Sequence, residues 1–248
     1  GRNSGVTYIP TFSISKNEVS NSEFQEFIND GGYQNPTFWD FPIKIGDKLY
    51  EFRNTVSNFN GKFGKNGPAS WSYGKFPNGL DNHPVSGISW FEARAYANYR
   101  KQELPNIHQW VYASKTYSNI LDSEVMKNGN FNSDFTKPVS EDSGSLDGIN
   151  NIGGNVKEWT INKSGNNKDK FTAAGGSYLE PAYQFVGQNF QNPSDRSTGN
   201  GIRLVKNLSK DGDYTLDDYA ISQRIFRNID DEPKISDEMF NYYKSQFN

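Results

Sequence analysis

An α+β chain of short helices and short strands, with low regular secondary structure, is what this sequence predicts. Three capping boxes open stretches of apolar residues at helical spacing, and each stretch is soon stopped. The strand-like runs are short and bounded by glycines or turn residues. The 18 Phe, 14 Tyr and 5 Trp make up 15% of 248 residues, although apolar residues total only 33%. Disordered chains lack aromatics, so a mean hydropathy of −0.84 describes large rings under a polar surface. With 23 glycines and 11 prolines, the elements are expected to be joined by structured turns.

Phe12-Ser13-Ile14-Ser15 alternates as a half-buried strand does. Ser20 and Glu23 form the first capping box, followed by Phe24, Phe27 and Ile28 at helical spacing until Gly31-Gly32. Residues 33–80 are irregular and rich in rings, with a hairpin expected where Ile43-Lys44-Ile45 and Lys48-Leu49-Tyr50 flank Gly46-Asp47. Ser89 and Glu92 open an Ala-rich helix through about Arg100, and Asn106 with Gln109 opens a third, with Ile107, Trp110, Val111 and Ala113 as its apolar face. Residues 115–150 read as polar and turn-rich. A glycine turn from Asn151 runs into a short strand at Trp159, and residues 174–178 and 201–205 read as buried strands. The domain is expected to span 1–207. An acidic linker and a helix from Ser236 to Phe247 fill 208–248 and lead toward a further domain.

Composition excludes several kinds of function. No apolar run reaches the ~18 residues of a membrane span, so this segment is not expected to insert into a membrane. No signal-peptide pattern is present, and the opening Gly1-Arg2-Asn3 has the look of an excised segment. The compartment stays open between cytoplasm and periplasm. With 26 basic against 29 acidic residues and no basic cluster, nucleic acid is not expected as a partner. Zero cysteines remove disulfides, thiolate metal sites and cysteine nucleophiles. The only histidines, His83 and His108, cannot form a three-His metal site, and no Gly-x-Ser-x-Gly elbow supports a serine triad. No repeat of solenoid or propeller length is present.

Six segments in order resemble the formylglycine-generating enzyme (sulfatase-modifying factor) superfamily over about residues 8–207. They are Asn17-Glu18-Val19-Ser20-Asn21 with Phe24 and Phe27; His83-Pro84-Val85 with Ile88-Ser89-Trp90 and Ala93; Leu104-Pro105 with Trp110 and Ala113; Gly148 with Asn151-Ile152, Gly154-Asn155-Val156 and Glu158-Trp159; Gly175-Gly176-Ser177-Tyr178; and Gly201-Ile202-Arg203. The resemblance implies a variant of the C-type lectin fold, with short helices around small antiparallel sheets. Gly31-Gly32-Tyr33, Gly67-Pro68-Ala69 and Leu179-Glu180-Pro181-Ala182-Tyr183 are closest in flavour to modules of bacterial multidomain proteins. That implies flanking domains, a kinase among the options, as partners within one polypeptide.

In that family, oxidation of a substrate cysteine to formylglycine uses copper held by two cysteines five residues apart after the Gly-Gly-Ser-Tyr strand. Glu180 and Phe185 occupy those positions here, and neither supplies the soft sulfur that Cu(I) selects. Related sulfoxide synthases use a three-histidine iron site, which two histidines cannot make. Neither copper nor iron is therefore expected. The resemblance further implies structural calcium at Asn151, Gly154, Val156 and Glu158, and a second calcium at Asn130, Phe131 and Asp134; the first turn equally fits plain Asn and Glu hydrogen bonding. Asp211-Gly212-Asp213 with Asp217-Asp218 lacks the full EF-hand pattern.

Trp71, Ser177, Glu180, Tyr183, Phe185 and Arg196 are the expected lining of a ligand groove for a peptide or carbohydrate, although each ring also suits ordinary core packing. The function expected first is a non-catalytic binding or sensing module on a calcium-braced scaffold. A spacer domain without a ligand, and an enzyme of other chemistry centred on Glu180 and Arg196, are the alternatives.

Overall fold

A computed structural model describes residues 9–39, 43–45, 48–50, 56, 59–115, 119–141, 148–164, 169–187 and 189–208. The expected linker and helix of 208–248 fall outside these residues from position 209 onward.

The three capping boxes form as read. Ser20 caps α1 (Asn21–Asn29), Ser89 caps α2 (Trp90–Tyr99) and Asn106 caps α3 (Ile107–Ser114), each answered by the side chain three residues into the helix. Reciprocal capping satisfies orphan N–H groups at both the cap and the first turn. A further helix, α4 (Asn119–Asn128), lies inside the stretch expected to be turns. Val125 and Met126 pack from it against the core.

Strand β1 (Phe12–Ile14) pairs antiparallel with β8 (Val205–Asn207), joining the two ends of the domain. The hairpin β2 (Ile43–Ile45) with β3 (Lys48–Tyr50) forms as expected. The larger sheet runs β6-β5-β4-β7, from β4 (Lys157–Lys163), β5 (Phe171–Ala174), β6 (Asn189–Gln191) and β7 (Asn200–Gly201). Its β4–β7 edge is parallel, with Lys157 opposite Asn200 and Glu158 opposite Gly201.

Two strand expectations are corrected. The strand ends at Ala174, because Gly175 and Gly176 have φ of 96° and 70° and leave the extended region. The run 201–205 divides: Gly201 pairs with β4, and Val205 pairs with β1.

The core has two parts. Phe24, Phe27, Tyr33, Trp71, Trp90, Tyr96 and Trp159 anchor the larger, with Ala93, Ala95 and Ala97 of α2 fully buried among them. Rings meet edge-on, stacked or tilted: Phe24 stacks on Tyr96 at 5.2 Å, and Trp90 meets Phe171 at 4.1 Å, tilted by 36°. Ile107, Trp110, Ile152, Ala174 and Phe185 build the smaller part. Buried indoles need a partner for their N–H. All five find one: Gly32 O, Asn21 Oδ1, Thr160 O, Glu158 Oε2 and Ile88 O accept from Trp39, Trp71, Trp90, Trp110 and Trp159.

Candidate functional site

The glycine turn sits between the two core parts, where β4 leaves it. Asn151, Gly154 and Asn155 hold φ of 51°, 78° and 57°, the left-handed region that Asn and Gly tolerate best. A Cβ on Gly154 would lie 2.4 Å from the Asn130 carbonyl oxygen, so glycine is required there. This curl brings Glu158 under Arg203, and both are buried. Arg203 Nε donates to Glu158 Oε1 at 2.9 Å, with Nη2 ion-paired to the same oxygen at 2.8 Å. The remaining guanidinium donors reach the carbonyls of Ser15, Lys16 and Asn150. Trp110 Nε1 donates to Glu158 Oε2 at 2.7 Å.

A second buried carboxylate, Glu18, faces the same turn. Asn155 Nδ2 and Val156 N donate to it at 2.7 and 3.2 Å, and Asn151 Nδ2 at 3.4 Å. Burial pushes its pKa up to about 8, the Arg203 charge opposes that rise, and the Glu158 charge adds to it. Asn155 also accepts from Lys137 N and Asn130 Nδ2, stapling the segment after α4 to the turn.

These contacts bear on calcium. The ion takes six to eight hard oxygens, and the one carboxylate among Asn151, Gly154, Val156 and Glu158 already accepts from a guanidinium and an indole. A calcium ion would compete with Arg203 for it. As arranged, the Glu158 carboxylate is held by protein groups on both oxygens. In the second set, Asn130 Nδ2 donates to Phe135 O, Phe131 packs on the smaller core part and Asp134 is exposed. Among the described residues, no three His, Asp or Glu gather as a metal cluster.

Glu180 is tied to that turn through Lys157. Its Oε1 pairs with Lys157 Nζ at 2.8 Å, and its Oε2 accepts from Ser177 N and Oγ at 3.0 and 3.1 Å. The short 3₁₀ helix Ala182–Val186 turns Phe185 inward, 1% exposed against Trp110, and leaves Tyr183 67% exposed.

Arg196 serves a third place. Its Nε and Nη2 grip Glu92 at 2.9 Å each, Nη1 donates to Asn60 O at 2.8 Å and Nη2 to Gly67 O. Glu92, fully buried, also accepts from Tyr33 Oη at 2.6 Å and from Ser89 in the α2 capping box. Burial, then the Glu92 charge, hold the Tyr33 phenol well above its ordinary pKa.

The six residues expected to line one groove are thus divided. Ser177 and Glu180 touch, with Tyr183 on the same loop. Trp71 and Phe185 are core residues, and Arg196 clamps residues 60–67. His83 Nδ1 meets Thr136 Oγ1 at 2.9 Å, and burial lowers the His108 pKa. The sequence reading assigned no role to Glu18, Lys157 or Arg203. A charge inside the apolar run Ile202-Arg203-Leu204-Val205 is a signal of a buried pair; Lys157 carries no comparable local signal.

The sulfatase-modifying factor enzyme 1-like domain matches residues 3–208. A hercynine oxygenase of Mycolicibacterium smegmatis is 30% identical over 42% of this chain and 23% of its own length. The formylglycine-generating enzyme of Bos taurus is 26% identical over 79% of this chain and 66% of its own. The serine/threonine-protein kinase pkn1 of Chlamydia caviae is 25% identical over 61% of this chain and 23% of its own. This chain therefore spans less than a quarter of the hercynine oxygenase and of the kinase. In structure, CarF superposes with a TM-score of 0.54 at 17% identity, covering 82% of this chain and 89% of CarF. PvdO from Pseudomonas aeruginosa gives 0.54 at 18%, covering 79% and 80%. Those two establish the fold, a lectin-like α+β arrangement of short helices and small sheets. Residues 3–208 belong to the sulfatase-modifying factor enzyme 1-like family.

Proposed function

We propose that the chain is a non-catalytic recognition domain that keeps the family's scaffold without its copper chemistry. One observation carries this reading: Glu180 and Phe185 stand where the resemblance places the two thiols, in a chain without cysteine. Glu180 is ion-paired with Lys157 and hydrogen-bonded by Ser177, and Phe185 is buried in the core. The similarity to part of a kinase supports a place beside other domains in a longer signalling polypeptide.

The scaffold's brace, in this reading, is Arg203. Its guanidinium sits between Glu158 and three carbonyls, supplying the positive charge that calcium would otherwise bring to the turn. Titration with Cu(I) against a chromophoric chelator tests the loss of chemistry. The chain is expected to leave the chelator complex intact, and a stoichiometric tight site contradicts the reading.

A further inference from the structure

Residues 59–76 form a loop whose base is rigid and whose tip is exposed. At the base, Arg196 holds the Asn60 and Gly67 carbonyls and lies over the Phe59 ring at 5.6 Å, while Trp71 is fully buried. At the tip are two turns that share an aromatic-Gly-Lys sequence, Lys62-Phe63-Gly64-Lys65 and Ser72-Tyr73-Gly74-Lys75. Phe63 and Gly64 have φ of 66° and 79°; Tyr73 and Gly74 have 54° and 73°. Ser72 and Lys75 exchange both backbone hydrogen bonds at 3.0 Å, closing a two-residue turn. Such turns, with positive φ at both central residues, favour Asn-Gly. A bulky ring at the first position is disfavoured sterically.

Both turns nonetheless place a ring there, and burial is not the reason. Phe63 is 68% exposed and Tyr73 62%, and they stack on each other at 4.5 Å and 10°. Backbone strain combined with exposure points to function more than to stability. Lys62, Lys65 and Lys75 surround the rings, all exposed, and no Asp or Glu occurs from Val56 to Leu80 in a chain of net charge −3.

We propose that this tip docks an acidic peptide bearing aromatic side chains. The inference names the partner class for the recognition role above and rests on that reading. The exposed side chains are two rings and three ammonium groups, and ammonium groups only donate. A partner must therefore bring acceptors, which carboxylates supply, and a flat apolar face to extend the stack. The amides of Gly61, Lys62, Ser72, Tyr73 and Lys75 are bonded within the loop, so recognition runs through side chains rather than by strand addition. Amide and carboxylate side chains suited to a sugar's hydroxyls are absent from the exposed tip, which favours a peptide over an anionic glycan.

The test uses a fluorescent Glu-Tyr random copolymer, with polyglutamate and polygalacturonate as comparisons. The copolymer is expected to bind more tightly than polyglutamate, and binding should weaken as salt rises from about 0.05 to about 0.5 M. Phe63→Asn with Tyr73→Asn installs the residue these turns prefer. The double variant is expected to keep or raise the melting temperature while binding about tenfold more weakly, the loss expected of two ring contacts. Replacing Lys62, Lys65 and Lys75 by Gln should abolish the salt dependence. The proposal is overturned if the copolymer does not bind, if the Asn variant binds it unchanged, or if polygalacturonate binds in its place. Any of these results without Cu(I) binding removes the docking surface and leaves the non-catalytic reading standing.

Discussion

Glu158 and Glu180 are both ion-paired, yet their removal should cost the fold very different amounts. Glu158 and Arg203 are 1% and 0% exposed in their side chains, so Glu158→Ala strands a buried guanidinium and is expected to destabilise by about 3–5 kcal/mol. Glu180 is 24% exposed, and water screens its pair, so Glu180→Ala should cost no more than about 1 kcal/mol. Denaturant unfolding of the two variants checks the order. If Arg203 is the brace, chelation leaves the wild-type melting temperature in place, and calcium adds nothing to Glu158→Ala. Glu18 gives a pH signature. Folded, it keeps its proton up to about 8; unfolded, it loses it near the ordinary carboxylate value. Between those values the folded state binds the extra proton, so its contribution is full at low pH and falls by up to about 1.4 kcal/mol per unit as pH rises. Melting curves taken with chelator present should show that decline, and Glu18→Gln should flatten it.

At the scale of elements, the helix starts carry the most local information. Ser89→Ala removes a cap whose partner, Glu92, also receives Tyr33 and Arg196. It should cost more than Ser20→Ala, which is expected near 1 kcal/mol, and thermal melting followed by circular dichroism separates them. Those starts were legible because each capping box spans only three residues. α4 was not, since Leu121 stands where a capping box three residues after Ser118 would need Glu or Gln. The strand limits within 201–205 depend on which partner a residue finds, and so on the fold. The site divides along the same line. The turn at Asn151–Glu158 was readable as a turn, while the Lys157–Glu180 and Arg196–Glu92 pairs bridge 23 and 104 positions and leave no local pattern.

Across the whole molecule, β1 and β8 close the domain, two aromatic core parts flank the glycine turn, and buried ion pairs hold the places where loops cross. That framework is shared with enzymes of the family, which makes the identity of residues 180 and 185 decisive for chemistry. The most direct measurement supplies the purified chain with copper, oxygen and a cysteine-containing peptide, and follows the peptide by mass spectrometry. The cysteine is expected to survive unconverted at every concentration of the chain. Formation of the aldehyde in proportion to added chain would contradict it.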